Sequence, residues 1–304
     1  MDTSHTARLA RARTALEGLS VGDALGGFFE FGSYATLARY VQERRVPAVE
    51  VWRWTDDTNM TLSVYNILRQ YQALNQDALA LDFAKHFDRG RGYGMSIRGW
   101  VQRVLDGQPW YEVNTLAFGG TGSYGNGGAM RVAPVGAYFA DDMDAVVENA
   151  RKSAEITHAH TEGITGAMGV AVAAALACRL RGQPPPDRPA FIDLILPHIP
   201  DSIVREKTRH ARDLPSGATV ELAVSALGNG SQISAQDTVP FCLWCAGEQL
   251  AAYEDALWLT ASAGGDVDTT CAIVGGIVAC YVGDAGIPAA WRAAREPLPE
   301  WAMG

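Results

Sequence analysis

Hydrophobic residues along the chain are spaced as in amphipathic helices. Apolar positions recur every three or four residues, which is the period of one face of an α-helix. The helices predicted in this way cover residues 6–19, 56–73, 76–88, 143–156, 161–181, 216–227, 237–250, 252–262 and 268–282. Strand-like alternation is confined to the short stretch "VPAVEVW", residues 46–52. We therefore predict an all-α fold.

The strongest interruption of this pattern is the stretch "RGQPPPDRP", residues 181–189. Pro and Gly punctuate chains between elements, so the stretch is either a loop or a domain boundary. Helical patterns and acidic motifs occur on both sides of it, which favours a loop. We interpret residues 1–304 as a single domain, long enough to bury a core without disulfides or structural metals.

The composition excludes several classes of protein. Hydrophobic residues make up 48% and charged residues 19%, an ordinary globular balance. The net charge of −9 argues against general binding to nucleic acids or anionic membranes, which needs clustered Lys and Arg. The apolar runs at 164–180 and 271–283 fall short of the usual length of a membrane span, and the N-terminus lacks the apolar core of a signal peptide.

The number and position of the cysteines indicate the cellular compartment that we expect for the protein. There are five, an odd number, and most lie in apolar segments. Cys242 and Cys245 form "CLWC", but no strand precedes the pair and no second pair completes a zinc site. We interpret them as free thiols packed in a helix of a cytoplasmic protein, and we expect a monomer.

Two adjacent carboxylates stand at the start of a predicted helix in "WTDDTNM", residues 54–60. Thr55, Asp56, Asp57 and Thr58 are residues that cap helices, because their oxygens accept hydrogen bonds from the free N–H groups of the first turn. Neighbouring oxygens also bind hard cations. The stretch alone leaves both interpretations open.

A second acidic cluster changes that balance. In "GGDVDTT", residues 264–270, Asp266, Asp268 and Thr269 precede an apolar, glycine-rich helix more than 200 positions away. One shared site explains two such clusters better than two separate caps. The combined oxygens fit Mg²⁺ or Mn²⁺, with ligands enough for two ions, and zinc is disfavoured because no His or Cys accompanies them. "SVGDALGGFFEFG", residues 20–32, adds Asp23 and Glu30 after the first predicted helix.

A glycine-rich segment, "FGGTGSYGNGGAMRVAPVGAYF", covers residues 118–139 and leads into a helix. Loops of this kind direct backbone N–H groups at phosphate oxygens. The segment lacks the Lys-Ser/Thr ending of a nucleotide-triphosphate loop and follows no clear strand. In an acidic protein, backbone donors and bound cations are a way to hold an anionic ligand.

Four motifs together resemble a known family. "GDALGGFFEF", "TDDT", "GSYGNGGAMRVAP" and "GGDVDTT" occur in the order found in the ADP-ribosylglycohydrolase family, and the resemblance covers roughly residues 10–292. It also includes "THAHTEG", "LGNG" and "VPFCLW". The resemblance implies a compact multi-helix domain with a binuclear Mg²⁺ or Mn²⁺ site at helix N-termini.

The resemblance also implies roles for single residues. The metal ligands would be Thr55, Asp56, Asp57, Asp266, Asp268 and Thr269, and the catalytic residues Glu30, Asp57 and Asp266. The substrate-binding residues would be Phe118, Gly122, Ser123, Tyr124, Gly125, Asn126 and His158. We expect Glu30 to lie on a glycine-flanked loop that moves as substrate enters, and Arg131 to be balanced by a structural salt bridge.

Within the family, "GSYGNGGAMR" and "RGYG" (91–94) are similar to the branch that removes ADP-ribose from serine and cleaves related O-linked compounds. Some arginine-directed members have an acidic residue near the position of "RGYG", where this chain has Tyr93 and no carboxylate. The sequence predicts a metal-dependent hydrolase that releases ADP-ribose from a modified protein or from a small O-linked compound. The alternatives are an arginine-directed hydrolase, a non-catalytic ADP-ribose-binding or structural relative, and a hydrolase of another ribosyl or phosphate compound.

Overall fold

The computed structural model describes residues 1–30 and 34–304, which form α-helices without any β-strand among them. The helices are α1 (His5–Glu30), α2 (Tyr34–Glu43), α3 (Asp56–Tyr71), α4 (Gln76–Lys85), α5 (Met95–Leu105), α6 (Trp110–Thr115), α7 (Gly127–Met130), α8 (Ala133–Tyr138), α9 (Met143–Glu155), α10 (Thr161–Leu180), α11 (Arg188–Ile195), α12 (Ile203–Asp213), α13 (Val220–Leu227), α14 (Ala235–Glu248), α15 (Tyr253–Ala261), α16 (Val267–Val282), α17 (Ala289–Ala294) and α18 (Glu300–Met303). The predicted all-α class is confirmed. "VPAVEVW" contributes only an isolated bridge, between Trp52 and Arg295.

Every segment with helical periodicity contains a helix, but the first prediction ends too early. We predicted residues 6–19, whereas α1 continues through "SVGDALGGFFE" to Glu30. Glu30 is therefore the last residue of a helix and does not lie on a loop as expected. The last two residues of "GGFFEFG", 31 and 32, lie outside the described residues.

The glycines that pointed to a loop in this stretch are a packing surface. α1 packs more extensively against α16 than against any other helix of the described chain, and the two run antiparallel. Cβ atoms added at Gly18, Gly22 and Gly26 would lie 2.5, 2.1 and 2.4 Å from the carbonyl oxygens of Gly275, Cys271 and Val267. Because these contacts are with backbone, only glycine permits the approach. It brings the end of α1 to the start of α16.

α10 is the central core helix. It packs against α8, α9, α14 and α16, and most of its side chains are fully buried. It is the one described helix long and apolar enough to cross a membrane by length and composition, so our expectation that this run is too short is wrong. Its most apolar window is 83% buried inside the protein. The apolar composition is therefore that of a core helix.

The cysteines and the proline-rich stretch lie as predicted. All five thiols are free and buried, and Cys242 and Cys245 belong to α14. Burial raises the pKa of both thiols, which keeps them protonated and unreactive. "RGQPPPDRP" forms the connection from α10 into the start of α11.

Candidate metal centre and ligand cavity

The ends of three helices meet in one acidic centre. α1 contributes Asp23 and Glu30, the start of α3 contributes Asp57, and the start of α16 contributes Asp266 and Asp268. Ligand oxygens of Asp23, Asp57 and Asp268 lie within 4.8 Å of one another, as do those of Glu30, Asp266 and Asp268. Since Asp268 belongs to both groups, the two sequence clusters form one centre, as predicted.

Helix capping accounts for only part of this centre. Thr55 is the N-cap of α3, and its Oγ1 accepts a hydrogen bond from the backbone N–H of Asp57 at 3.4 Å. Asp268 Oδ1 accepts from the N–H of Thr269 at 2.7 Å. Asp266 occupies the N-cap position of α16 but makes no side-chain capping bond. The carboxylates of Asp57 and Asp266 therefore need another explanation.

Without a cation, burial and mutual repulsion disfavour the ionised form of the carboxylates in this centre. Burial, followed by the neighbouring carboxylates, raises the pKa of Asp56 to about 7 and that of Asp266 to about 8. The same causes raise the pKa values of Asp57 and Asp268 well above the ordinary range. Asp57 Oδ1 is buried and has no hydrogen-bond partner among the described residues. An all-oxygen set with an unpartnered buried oxygen fits a hard divalent cation.

A cavity of about 580 Å³ opens above the acidic centre. This volume is in the range of small-molecule sites. One side is acidic and is lined by Glu30, Asp56, Asp266, Asp268 and Thr269. The glycine-rich segment at residues 123–127 also lines the cavity, so a ligand there would be within reach of both the acidic centre and the loop.

The cavity brings together most of the predicted ligand residues. Those that line it are Phe118, Ser123, Tyr124, Gly125, Asn126 and His158. Gly122 does not: a Cβ there would lie 2.5 Å from the Cβ of Ala159, so this glycine packs the loop against the segment that precedes α10. Thr55 and Asp57 also lie outside the lining, and Asp57 is buried.

Asn126 connects the loop to the acidic centre. Its side-chain amide nitrogen donates hydrogen bonds to Asp266 Oδ2 at 2.6 Å and to Thr238 Oγ1 at 3.1 Å. With its amide donors engaged in this way, Asn126 fixes the orientation of the Asp266 carboxylate. Asn126 lines the cavity, and its side chain contacts an acidic residue.

His158 lies beneath the same loop. Its Nδ1 is 2.8 Å from Thr157 Oγ1, and a Cβ added at Gly125 or Gly127 would lie 3.2 Å from its Nε2. Burial, and then the charge of Arg131, lowers the pKa of His158 to about 3. The imidazole is therefore neutral at physiological pH, which suits a ligand-binding residue better than a proton donor.

Arg131 is fully buried beside the cavity, and our expectation that a salt bridge balances its charge is wrong. Its guanidinium donates to the carbonyl oxygens of Gly127 and Ser153 at 2.9 and 2.7 Å, and to Thr157 Oγ1 at 2.8 Å. It also lies 4.7 Å from the ring centroid of Phe83. Among the described residues no carboxylate pairs with it, and burial lowers its pKa to about 9.

The mouth of the cavity holds two apolar residues in an unusual conformation. Phe118 and Ile233 have φ values of 54° and 52°, and both are exposed. A left-handed conformation is rare for any residue with a side chain and is strained in a β-branched one, and such strain is common in ligand sites. Phe118 lies 5.4 Å from Tyr124 between ring centroids.

Sequence reasoning missed four contributors to the site. Ile233 follows "LGNG", whose glycines indicate only the end of a helix. Trp100 and Val113 line the cavity from α5 and α6, helices that the periodicity did not predict. Asp23 was noted as acidic but was given no role, although one of its oxygens lies within 4.8 Å of ligand oxygens of Asp57 and Asp268.

Comparison with known proteins identifies the family. The family model for ADP-ribosylglycohydrolase matches residues 4–303. The chain belongs to the ADP-ribosylglycohydrolase family. The resemblance carried by the four sequence motifs is thereby confirmed, and the protein is a hydrolase of ADP-ribose linkages.

Individual relatives of this ADP-ribosylglycohydrolase align over nearly the whole chain. ADP-ribosylhydrolase ARH3 of Homo sapiens is 30% identical over 336 residues, which cover 96% of this chain and 91% of the relative. ADP-ribosylarginine hydrolase Tri1 of Pseudomonas putida is 23% identical over 301 residues, 93% of this chain and 73% of the relative. A solved structure named ADP-ribosylglycohydrolase-related protein complex has a TM-score of 0.69, with 24% identity and 98% and 96% coverage, and shares the fold.

Proposed function

We propose that the protein is a hydrolase, dependent on two Mg²⁺ or Mn²⁺ ions, that releases ADP-ribose from serine and other O-linked adducts. The observation that carries this proposal is one cavity that is lined by both the acidic centre and the glycine-rich loop. A protein that only bound ADP-ribose would gain nothing from a buried, unpartnered carboxylate oxygen at Asp57.

Six residues would hold the ions: Thr55, Asp56, Asp57, Asp266, Asp268 and Thr269. Bound divalent ions supply orientation of the ribose hydroxyls and activation of water in reactions of this kind. The residues themselves contribute rigidity, since Asp57 and Asp268 are buried and Asn126 holds Asp266.

The glycine-rich loop would bind and orient the ADP part of the substrate. Backbone N–H groups of residues 123–127 would donate to the diphosphate, although that of Gly125 already donates to Ser123 Oγ at 3.2 Å. A Cβ at Gly125 or Gly127 would crowd His158, which lies directly beneath. Phe118, Tyr124 and Ile233 form an apolar mouth suited to the adenine ring. Fixing the ADP in this way would hold the anomeric carbon over the acidic centre, and such positioning lowers the barrier by several kcal/mol.

Glu30 is the proposed acid and base. Its exposed side chain lines the cavity, and a carboxylate oxygen lies within 4.8 Å of ligand oxygens of Asp266 and Asp268. Cleavage at an anomeric carbon passes through an oxocarbenium-like transition state, and the leaving oxygen must receive a proton. The Glu30 carboxyl group would hold that proton or accept one from the attacking water.

Glu30→Gln therefore tests the mechanism. We expect this variant to bind ADP-ribose like the wild type and to lose about 100-fold in kcat, the scale of a general acid or base. Glu43→Gln is the matched control, because Glu43 is also an exposed glutamate at the last residue of a helix but lies outside the cavity lining. Wild-type turnover in Glu30→Gln would remove Glu30 from the mechanism.

The surroundings of Tyr93 support an O-linked acceptor. The carboxylates that line the cavity in the described chain are those of Glu30, Asp56, Asp266 and Asp268. Each of them has a role in catalysis or metal binding in this proposal, so an arginine acceptor would have no separate partner for its guanidinium. The Tyr93 hydroxyl donates to Asn59 Oδ1 and offers no charge. The relative named for arginine is also less similar to this chain than the relatives named only as ADP-ribosylhydrolases.

One assay tests substrate class and metal dependence together. Purified protein is incubated with serine-linked, arginine-linked and ester-linked ADP-ribose, each with Mg²⁺, with Mn²⁺ and with EDTA. We expect release from the O-linked substrates only when metal is present. Release from the arginine-linked substrate alone would refute the O-linked assignment, and undiminished release in EDTA would refute metal dependence. Tight ADP-ribose binding without release from any substrate would favour a non-catalytic relative.

A further inference from the structure

We infer that Asp23 is a positioning residue that orients the hydroxyl of Thr55 for metal binding. This inference rests on the metal dependence proposed above. In this arrangement Thr55 donates its single hydroxyl proton to Asp23, so that Thr55 Oγ1 and the Asp57 carboxylate present only lone pairs to the cation.

Asp23 is fully buried against the first turn of α3 and is surrounded by donors. Its Oδ1 is 2.8 Å from Thr55 Oγ1 and 3.1 Å from Thr55 N. Its Oδ2 is 3.0 Å from Thr58 N and 2.5 Å from Thr58 Oγ1. Backbone N–H groups only donate, so Asp23 must accept. Its lone pairs are consumed by these bonds, which leaves it a poor metal ligand although it lies in the acidic centre.

The Thr55 hydroxyl has two carboxylate neighbours but one proton. Asp23 Oδ1 is 2.8 Å from Thr55 Oγ1, and Asp57 Oδ2 is 2.9 Å from it. Asp23 is held in place by the N–H groups of α3, whereas Asp57 Oδ1 has no partner among the described residues. The rigid acceptor takes the proton, and the other close pair then consists of two oxygens without a hydrogen between them.

That second distance is the one expected for two ligands of one ion. Adjacent oxygens of an octahedral Mg²⁺ at 2.0–2.1 Å lie about 2.9 Å apart. The separation of Thr55 Oγ1 from Asp57 Oδ2 matches this value. Asp23 thus orients a ligand without binding the ion itself, a role that neighbouring groups commonly have in metal sites.

A simpler role for Asp23 would be to cap α3, and the chain offers a matched control for it. Glu162 of α10 is also a buried carboxylate that accepts two backbone N–H groups at the start of another helix. Its oxygens accept from Ile203 and Val204 of α12 at 2.8 and 2.9 Å. Glu162 belongs to neither the acidic centre nor the cavity lining. Removing a pure cap lowers stability without changing metal affinity.

The test measures Mn²⁺ binding to metal-free protein by electron paramagnetic resonance, with far-UV circular dichroism as the check on folding. We expect Asp23→Asn to weaken Mn²⁺ binding by about 10- to 100-fold. Glu162→Gln should lower the Tm and leave Mn²⁺ affinity unchanged. In a Thr55→Val background, Asp23→Asn should weaken Mn²⁺ binding little further, because the Thr55 hydroxyl through which Asp23 acts is already absent.

The outcomes separate this inference from the proposed function. A wild-type protein that binds no Mn²⁺ overturns the metal centre, and the role of Asp23 with it. Wild-type binding combined with equal binding by Asp23→Asn overturns only the role of Asp23. If Asp23→Asn weakens Mn²⁺ binding by the same factor in the wild-type and Thr55→Val backgrounds, Asp23 does not act through Thr55 and the inference is overturned. If Asp23→Asn does not fold, Asp23→Ser, which leaves room for water beside α3, replaces it in the same measurements with the same expected loss.

Discussion

Replacing Gly22 by alanine would separate α1 from α16 close to the acidic centre. The added Cβ would lie 2.1 Å from the carbonyl oxygen of Cys271 and 2.7 Å from its carbonyl carbon. A carbon and an oxygen in contact prefer about 3.3 Å or more, so the helices would have to move apart by about 1 Å. Both obstacles are backbone atoms of a buried helix, which no side-chain rotation can relieve.

The expected cost follows from two opposing effects. Overpacking of a core costs about 1–3 kcal/mol, and contact with backbone puts this case at about 3 kcal/mol. Alanine in a helix interior is favoured over glycine by about 1 kcal/mol. We therefore expect Gly22→Ala to lower the free energy of unfolding by about 2 kcal/mol. The displacement would also move Asp23 and Glu30 relative to Asp266 and Asp268, so Mn²⁺ affinity should fall as well.

Urea unfolding in EDTA measures the stability change without a contribution from bound metal. Gly99→Ala is the control, because Gly99 lies within α5 and no atom would lie within 4 Å of its added Cβ. This variant should gain up to about 1 kcal/mol. If Gly22→Ala is as stable as Gly99→Ala, α1 and α16 separate without cost, and the argument that their backbone contact fixes the acidic centre is refuted.

Three further predictions concern the centre and the cavity mouth. Asp266→Asn should lose bound Mg²⁺ or Mn²⁺, measured by elemental analysis, while far-UV helicity stays unchanged; undiminished metal content would contradict the ligand assignment. In EDTA, the raised pKa values of Asp56 (about 7) and Asp266 (about 8) mean that the folded state binds protons more tightly than the unfolded state. Their contribution to stability is complete below about pH 4 and is lost as the pH rises through 7 and 8, so the Tm should fall over this range and fall less in Asp266→Asn. Ile233→Gly should raise stability by about 1 kcal/mol, because it relieves a left-handed β-branched residue, and should weaken ADP-ribose binding by calorimetry; unchanged affinity would exclude Ile233 from the binding site.

The acidic centre was predictable because its residues occur in short motifs at helix starts. "TDDT" and "DVDTT" each place carboxylates and hydroxyls within one helical turn, so local sequence already brings half of the site together. Asp23 lies in "GDALGGFFEF", which has no second carboxylate within the same helical turn. Its role depends on hydrogen bonds to a different helix, and sequence spacing carries no information about those bonds.

The full length of α1 and the presence of the short helices could not be predicted from local sequence either. Glycine lowers helix propensity, so "GDALGGFF" resembles a break until the contact with α16 compensates. α6, α7 and α8 have six, four and six residues, too few to show a helical period. Arg131 was expected to have a carboxylate partner, but backbone carbonyl groups satisfy it instead. Tertiary contacts decided each of these cases.

The backbone contact between α1 and α16 also sets when the protein can become active during its synthesis. Asp23 and Asp266 are 266 − 23 = 243 positions apart. At about 5–20 residues per second, a ribosome adds Asp266 about 12–50 s after Asp23. Throughout that interval the glycine surface of α1 has no partner and the carboxylates of α1 and α3 lack those of α16. A nascent chain therefore contains half of the acidic centre, and hydrolysis of ADP-ribose linkages begins only after α16 has left the ribosome and packed against α1.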